Sequence, residues 1–196
     1  MEILFKKLKN FFWVLFIPYS FLGAQPLKIK KTTDLCNPDS VVIGRISPEI
    51  KGVDLSGLEI SISAYRGNYV CIMAWASSKK SSQIEYPYFN TIRQHFKGKN
   101  IRFIDISVDL DKKDWEFYLN QNPDQGIHWY ADPLKPPFSF YLLKRKNRGE
   151  KNFFTYTVPQ YILLDRDGRI IENNIPIHPT DSVRFQKLIE SLPKLH

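Results

Sequence analysis

Met73-Ala-Trp-Ala-Ser-Ser-Lys-Lys-Ser-Ser-Gln-Ile-Glu-Tyr-Pro87 is the stretch whose reading decides the fold. It completes a near-continuous apolar run, Tyr69 to Ala76, of the kind a strand covered on both faces requires, then stops at a polar turn and restarts as a helix. From Ser82 to Phe96 apolar or aromatic residues recur at Ile84, Tyr88, Phe89, Ile92 and Phe96, close to the spacing of one buried helical stripe, and Gly98 ends the segment. Ile101 to Val108 reads as a second strand, with Asp109-Leu110-Asp111 as its loop. A strand, helix, strand order with such a crossover predicts a parallel, right-handed unit. In an α/β fold the chemistry lies at the turn after such a strand.

Outward from this unit, Gly57 to Ser63 alternates apolar and polar residues as a half-buried hairpin strand does. Downstream, Asp111 to Gln121 predicts a short helix and Gly126 to Tyr130 a weaker third strand. Pro133 to Asn152 passes from three prolines through the apolar Phe138 to Leu143 into Lys144-Arg-Lys-Asn-Arg-Gly-Glu-Lys151, which predicts a short helix followed by an exposed basic loop. Tyr156 to Ile171 predicts two strands flanking Arg166-Asp167-Gly168, an Asp-Gly turn that demands positive φ. Thr180 to Leu192 begins with a Thr180/Asp181 cap and carries Val183, Phe185, Leu188, Ile189 and Leu192, a helix packed on the sheet.

The turn resembles the active-site motif of the TlpA/ResA branch (AhpC/TSA-type) of thioredoxin-like thiol-disulfide oxidoreductases, in which Trp-Ala-Ser-Trp-Cys-x-x-Cys is followed by Glu three and Pro five residues on. Trp75, Ala76, Ser77, Glu85 and Pro87 fall in register, but the two cysteine positions hold Lys79 and Ser82 and the second Trp is Ser78. Gly44-Arg-Ile-Ser-Pro-Glu-Ile50 resembles the family's Gly-x-x-Ala-Pro-x-Phe opening. Tyr156-Thr-Val-Pro159 through Ile171 resembles its Val-Pro-x-x-x-Leu-Ile-Asp-x-x-Gly-x-Ile hairpin. The resemblance covers roughly Gly44 to Leu192. It implies a thioredoxin-like α/β fold, a central mixed β-sheet flanked by helices with an N-terminal β-hairpin extension. It also implies that Pro159 is cis and faces the turn, presenting the Val158 backbone to an extended peptide, and that Glu85 lies close to where the dithiol would be.

A chain of 196 residues with 43% apolar side chains can bury one core of ordinary size. The expected divisions are 1–24 signal peptide, 25–43 lead-in, 44–192 domain and 193–196 tail. Lys6, Lys7 and Lys9 precede the apolar Phe11 to Ala24, which closes on Leu22-Gly23-Ala24, the outline of a secretory signal cleaved after Ala24. The alternative is a retained anchor, but the run is shorter than the ~20 residues of a spanning helix and Pro18 interrupts it. Export to a periplasm-like space, with no stable membrane span after cleavage, is therefore expected. Removing the signal, with its three lysines and Glu2, takes the formal charge from +8 to +6. The basic residues cluster at Lys28 to Lys31 and Lys144 to Lys151 without interleaved aromatics, so they predict no nucleic-acid platform. Either run is solvated surface, or the second docks on an acidic partner or membrane face.

A dithiol oxidoreductase needs a cysteine of lowered pKa at a helix start and a second one three residues on. Lys79 and Ser82 supply neither. The cysteines present are Cys36, in a polar lead-in, and Cys71, inside the central strand. They pair only if that lead-in lies against the strand. Three readings of the altered turn compete. Ser81 or Ser82 with Lys79 or Lys80 would make a serine-lysine nucleophile if the lysine were desolvated and neutral. Free N–H groups, hydroxyls and two ammonium groups would suit a phosphate or carboxylate. Structurally, Ser82-Gln83-Ile84-Glu85 fits a capping box. The expected role is that of a redox-inactive binding module of the envelope, holding a protein segment or small ligand at Trp75, Ser78, Lys79, Lys80, Ser81, Ser82, Glu85, Val158 and Pro159. No metal or cofactor is called for. The alternatives are an oxidoreductase using Cys36 or Cys71 and a structural subunit of an envelope complex.

Overall fold

The computed structural model describes residues 41–135, 138–142, 144–148, 151–193 and 195. The expected signal segment and Cys36 lie outside the described residues. Among the described residues no helix is long and apolar enough to cross a membrane.

Two strands and their crossover helix form the centre. β3 (Tyr69–Trp75) is buried along its whole length, and α1 (Lys80–His95) leads from it to β4 (Ile101–Ser107), which pairs with it in parallel from Tyr69↔Ile101 to Trp75↔Ser107. On the other side of β3, β8 (Gln160–Leu164) runs antiparallel and hands over to β9 (Ile170–Glu172). β5 (Ile127–Tyr130) adds parallel to β4. The hairpin of β1 (Lys51–Val53) and β2 (Glu59–Ser61) closes that edge through Val53↔Tyr130, giving the order β2-β1-β5-β4-β3-β8-β9. The sheet is mixed, as expected.

Because side chains alternate along a strand, β3 feeds two cores. Val70, Ile72 and Ala74 join Ile104, Ile106, Ile162 and the short α3 (Phe138–Leu142) on one face. Cys71, Met73 and Trp75 face α1, α2 (Lys112–Gln121) and α4 (Ser182–Glu190) on the other. The helix starts at α2 and α4 follow from their caps: Asp111 accepts from the Lys113 N–H, and Asp181 from the Arg184 N–H. The β8–β9 turn has Gly168 at φ +75°, with the Asp165 carboxylate accepting the N–H groups of Asp167 and Arg169. Leu195, within the segment read as a tail, is buried in the α1 core.

Two expectations change. The segment read as an exposed basic loop is a β-hairpin, β6 (Lys144–Arg148) against β7 (Lys151–Thr155), a two-stranded sheet of its own. Its lysines and arginines concealed a strand register that composition does not report. The capping box is also absent: α1 begins two residues before Ser82, with Lys79 at the N-cap and no side-chain cap.

Beneath the α1 face lies a buried charge cluster. Asp105, mid-strand in β4 and fully buried, accepts from the Trp75 indole (3.2 Å), Arg93 Nη1 (3.3 Å) and His128 Nδ1 (2.8 Å). Asp124 accepts from Arg93 Nη2 (2.6 Å), Asn90 (2.7 Å) and Tyr86 (2.9 Å), with His128 Nε2 at 3.0 Å. Two carboxylates thus balance one guanidinium and one imidazole. Burial alone would lower the His128 pKa, but the hydrogen bonds and charges of Asp105 and Asp124 outweigh it and raise it to about 9. Burial likewise opposes the charge on Asp124, yet His128 and Arg93 hold its carboxyl well below the usual range.

Such a cluster tolerates loss of one member poorly, so Asp105→Ala should cost roughly 3 to 5 kcal/mol in urea unfolding. A histidine whose folded pKa is raised contributes stability fully below its unfolded value near ~6.5 and loses it as pH climbs through about 9. The stability gap between the unmodified chain and His128→Gln should therefore be wide at pH 6 and narrow at pH 10.

Candidate functional site

The turn between β3 and α1 is held from beneath by a residue far along the chain. Asp109, just past the end of β4 and buried, accepts from the backbone N–H of Ser77 (2.8 Å) and Ser78 (3.2 Å) and from the hydroxyls of Ser78 (3.2 Å) and Ser107 (2.9 Å). The parallel pairing of β3 with β4 places it there, since Trp75 and Ser107 are register partners and the Val108 N–H continues the ladder to the Trp75 carbonyl. The concavity of N–H groups that would suit a foreign anion is thus filled by the protein's own carboxylate. That removes the Ser77 and Ser78 amides from the phosphate or carboxylate reading.

The two positions that the motif resemblance gives to cysteine differ sharply. Lys79 is exposed, while Ser82 is 0% exposed and its Oγ accepts from the Ala76 N–H at 3.3 Å. Ser81 donates to the Val158 carbonyl at 2.9 Å. Neither serine is hydrogen-bonded to a lysine among the described residues, so the serine-lysine nucleophile has no geometry to rest on. The Ser81 bond also joins the turn to the loop before β8, where the Val158–Pro159 bond is cis. Val158 and Pro159 are half-buried.

Glu85 does not reach back to a cap. Its carboxylate accepts from the Tyr161 hydroxyl (3.3 Å) and from the N–H (3.3 Å) and hydroxyl (3.1 Å) of Thr180, with His178 Nδ1 at 3.4 Å, tying α1 to β8 and to the start of α4. Burial and the neighbouring Glu85 charge push the Tyr161 hydroxyl far above its ordinary range, so it donates and does not ionise. Trp75 is likewise internal, its ring 4.6 Å from Tyr86 and 5.1 Å from Tyr118, and fully buried. Of the nine expected binding residues, Trp75, Ser82 and Glu85 therefore support the surface from below, because their polar atoms already have internal partners. Ser78, Lys79, Lys80 and Ser81 are exposed around the Val158–Pro159 loop.

Cys71, in the middle of β3, is fully buried and free, and burial pushes its thiol far above the ordinary range. A thiolate is the attacking species in disulfide exchange, so this sulfur is disfavoured both in charge and in access.

Residues 43–173 match the AhpC/TSA family. The chain belongs to that family. Thiol-disulfide oxidoreductase ResA from Bacillus thuringiensis subsp. konkukian is 24% identical over 137 residues, 68% of this chain and 70% of that protein. The Geobacillus kaustophilus ResA is 21% identical over 131 residues, 67% and 68% of the two chains. Among solved structures, a Bacteroides vulgatus protein provisionally assigned as a thiol-disulfide oxidoreductase superposes with a TM-score of 0.64 at 22% identity, over 78% of this chain and 97% of its own. These likenesses show the thioredoxin-like fold.

Asp109 was missed as a site residue in the sequence, where it reads as a loop acid; the one signal was its place at the end of an apolar strand. Asp109→Ala leaves the Ser77 and Ser78 N–H groups unpaired and should cost roughly 2 to 4 kcal/mol. Trypsin should then cut faster after Lys79 or Lys80 under native conditions, a change read directly by mass spectrometry of the fragments.

Proposed function

We propose that this AhpC/TSA-family protein is redox-inactive at the usual position and acts as an exported binding module, holding an extended protein segment between the Ser78–Ser81 turn and Val158–Pro159. The observation that carries the reading is the pair at the dithiol positions, an exposed Lys79 and a fully buried, hydrogen-bonded Ser82. Neither can take part in a two-electron thiol couple. The exported location rests on the signal-like Phe11 to Ala24 run and its preceding lysines.

What remains around the turn suits backbone recognition. The Val158 carbonyl is taken by Ser81, while the Val158 N–H has no partner among the described residues. A main-chain donor without a partner beside an exposed turn can pair with an acceptor on an extended chain, as in strand addition. The inward bonds of Asp109 and Glu85 keep the two sides of this surface in fixed relation.

In a dithiothreitol-coupled insulin reduction assay the unmodified chain should stay at the background rate. Lys79→Cys/Ser82→Cys should raise the rate well above it, because the thiol pair returns to the start of α1. Activity in the unmodified chain that disappears in Cys36→Ser/Cys71→Ser would replace the binding reading with an enzyme using those sulfurs.

A further inference from the structure

We propose that the cavity between the end of α1 and the starts of β4 and β5 binds a small carboxylate with a one-ring apolar body. It lies away from the turn after β3: β4 begins at the cavity with Ile101 and ends beside the turn with Ser107, about 20 Å on at ~3.3 Å per residue. Occupancy of the cavity is independent of peptide binding at the turn.

Size and lining set the apolar half of the ligand. The cavity measures about 180 Å³. An apolar cavity of ~150 Å³ holds a benzene-sized molecule, so one ring carrying a short acidic group is the size that fits. Phe96, Ile101 and Phe103 supply the apolar lining, and the Phe96 and Phe103 rings stack with centroids 5.9 Å apart. All three belong to the core beneath α1, so an apolar body placed there covers the hydrocarbon that the fold leaves open at this end.

Charge sets the other half. Arg93, Lys97 and Arg102 line the cavity, and no carboxylate does. Asp124, beside the lining residue Gln125, is turned onto Arg93, His128, Tyr86 and Asn90. Arg93 is already balanced, Nη1 by Asp105 and Nη2 by Asp124, yet its Nε is buried without a partner. A buried donor in that state calls for an acceptor. Gly126 makes room for this guanidinium, since a Cβ there would collide with it. Lys97 is exposed and Arg102 half-buried, and neither has an ion-pair partner among the described residues. Arg102 Nη1 donates only to the main-chain carbonyls of Lys99 and Ile101.

The last turn of a helix repels an anion through its free carbonyls. At the end of α1 that repulsion is weakened, because the carbonyls of Ile92, Gln94 and Phe96 accept the N–H groups of Phe96, Lys97 and Lys99. Gly98, at φ +85°, makes this turn. It also lines the cavity, and its own N–H has no partner among the described residues, which leaves a main-chain donor at the wall. A carboxylate can accept from several such donors at once, whereas an alcohol or an amine cannot match it.

The test titrates the isotope-labelled full chain with benzoate, with its uncharged counterpart benzyl alcohol and with inorganic phosphate, and follows the main-chain amide signals by NMR. Benzoate should bind with a Kd of about 0.1 to 1 mM, ordinary for so small a ligand and at least about tenfold tighter than either control. Its shifts should centre on Gln94 to Phe103 and Gln125 to Ile127. Lys97→Glu, at an exposed position, should weaken benzoate severalfold, leave benzyl alcohol unchanged and leave the thermal unfolding midpoint in place. Arg102→Gln should weaken benzoate likewise; if it loosens the fold, the Lys97→Glu result decides. Equal affinity for benzoate and benzyl alcohol overturns the acid preference, and phosphate binding as tightly as benzoate overturns the need for an apolar body. Benzoate shifts that gather at Ser78 to Ser81 instead, or their absence up to about 10 mM, overturn the site.

Discussion

The Asp109 carboxylate, buried under the turn that follows β3, is the contact on which the rest of the site depends. It receives four donors from three serines, two of them main-chain N–H groups that the turn itself cannot satisfy. A buried anion so surrounded is stable because hydrogen bonds replace the water it has lost, and a turn so gripped has few other conformations open to it. The exposed positions of Lys79, Lys80 and Ser81 follow from that grip. So does the approach of Ser81 to the Val158 carbonyl, which joins two loops that are remote in sequence.

The same logic extends inward. Trp75 sits below the turn, its indole donating to Asp105, and Asp105 opens into the cluster with Arg93, His128 and Asp124. Replacing such a cluster by apolar residues often costs nothing in stability, whereas removing a single member leaves a buried charge alone. The cluster joins α1 to β4, to β5 and to the Asp124 loop before β5. Glu85 does the equivalent work on the opposite side, between α1, β8 and the start of α4.

Much of this was legible in the chain. The apolar run of β3, the stripe of α1, the Asp-Gly turn before β9 and the Asp181 cap of α4 are local signals, and each produced its element within a few residues. The hairpin β6–β7 was not legible, because a run of cations interrupts the alternation by which strands are recognised. The Ser82 and Glu85 spacing fits a capping box as well as it fits two buried hydrogen-bonding residues. Only the helix start at Lys80 separates the two.

By itself the sequence determined the strands and helices around β3 and the kinship of the turn, since these depend on residue type and on neighbours a few positions away. The tertiary structure decided what each polar side chain does. Asp109 meets Ser77 thirty-two positions earlier, and Glu85 meets Thr180 ninety-five positions later. Such partners are chosen by sheet register and helix packing, which bring together groups that no local pattern can pair.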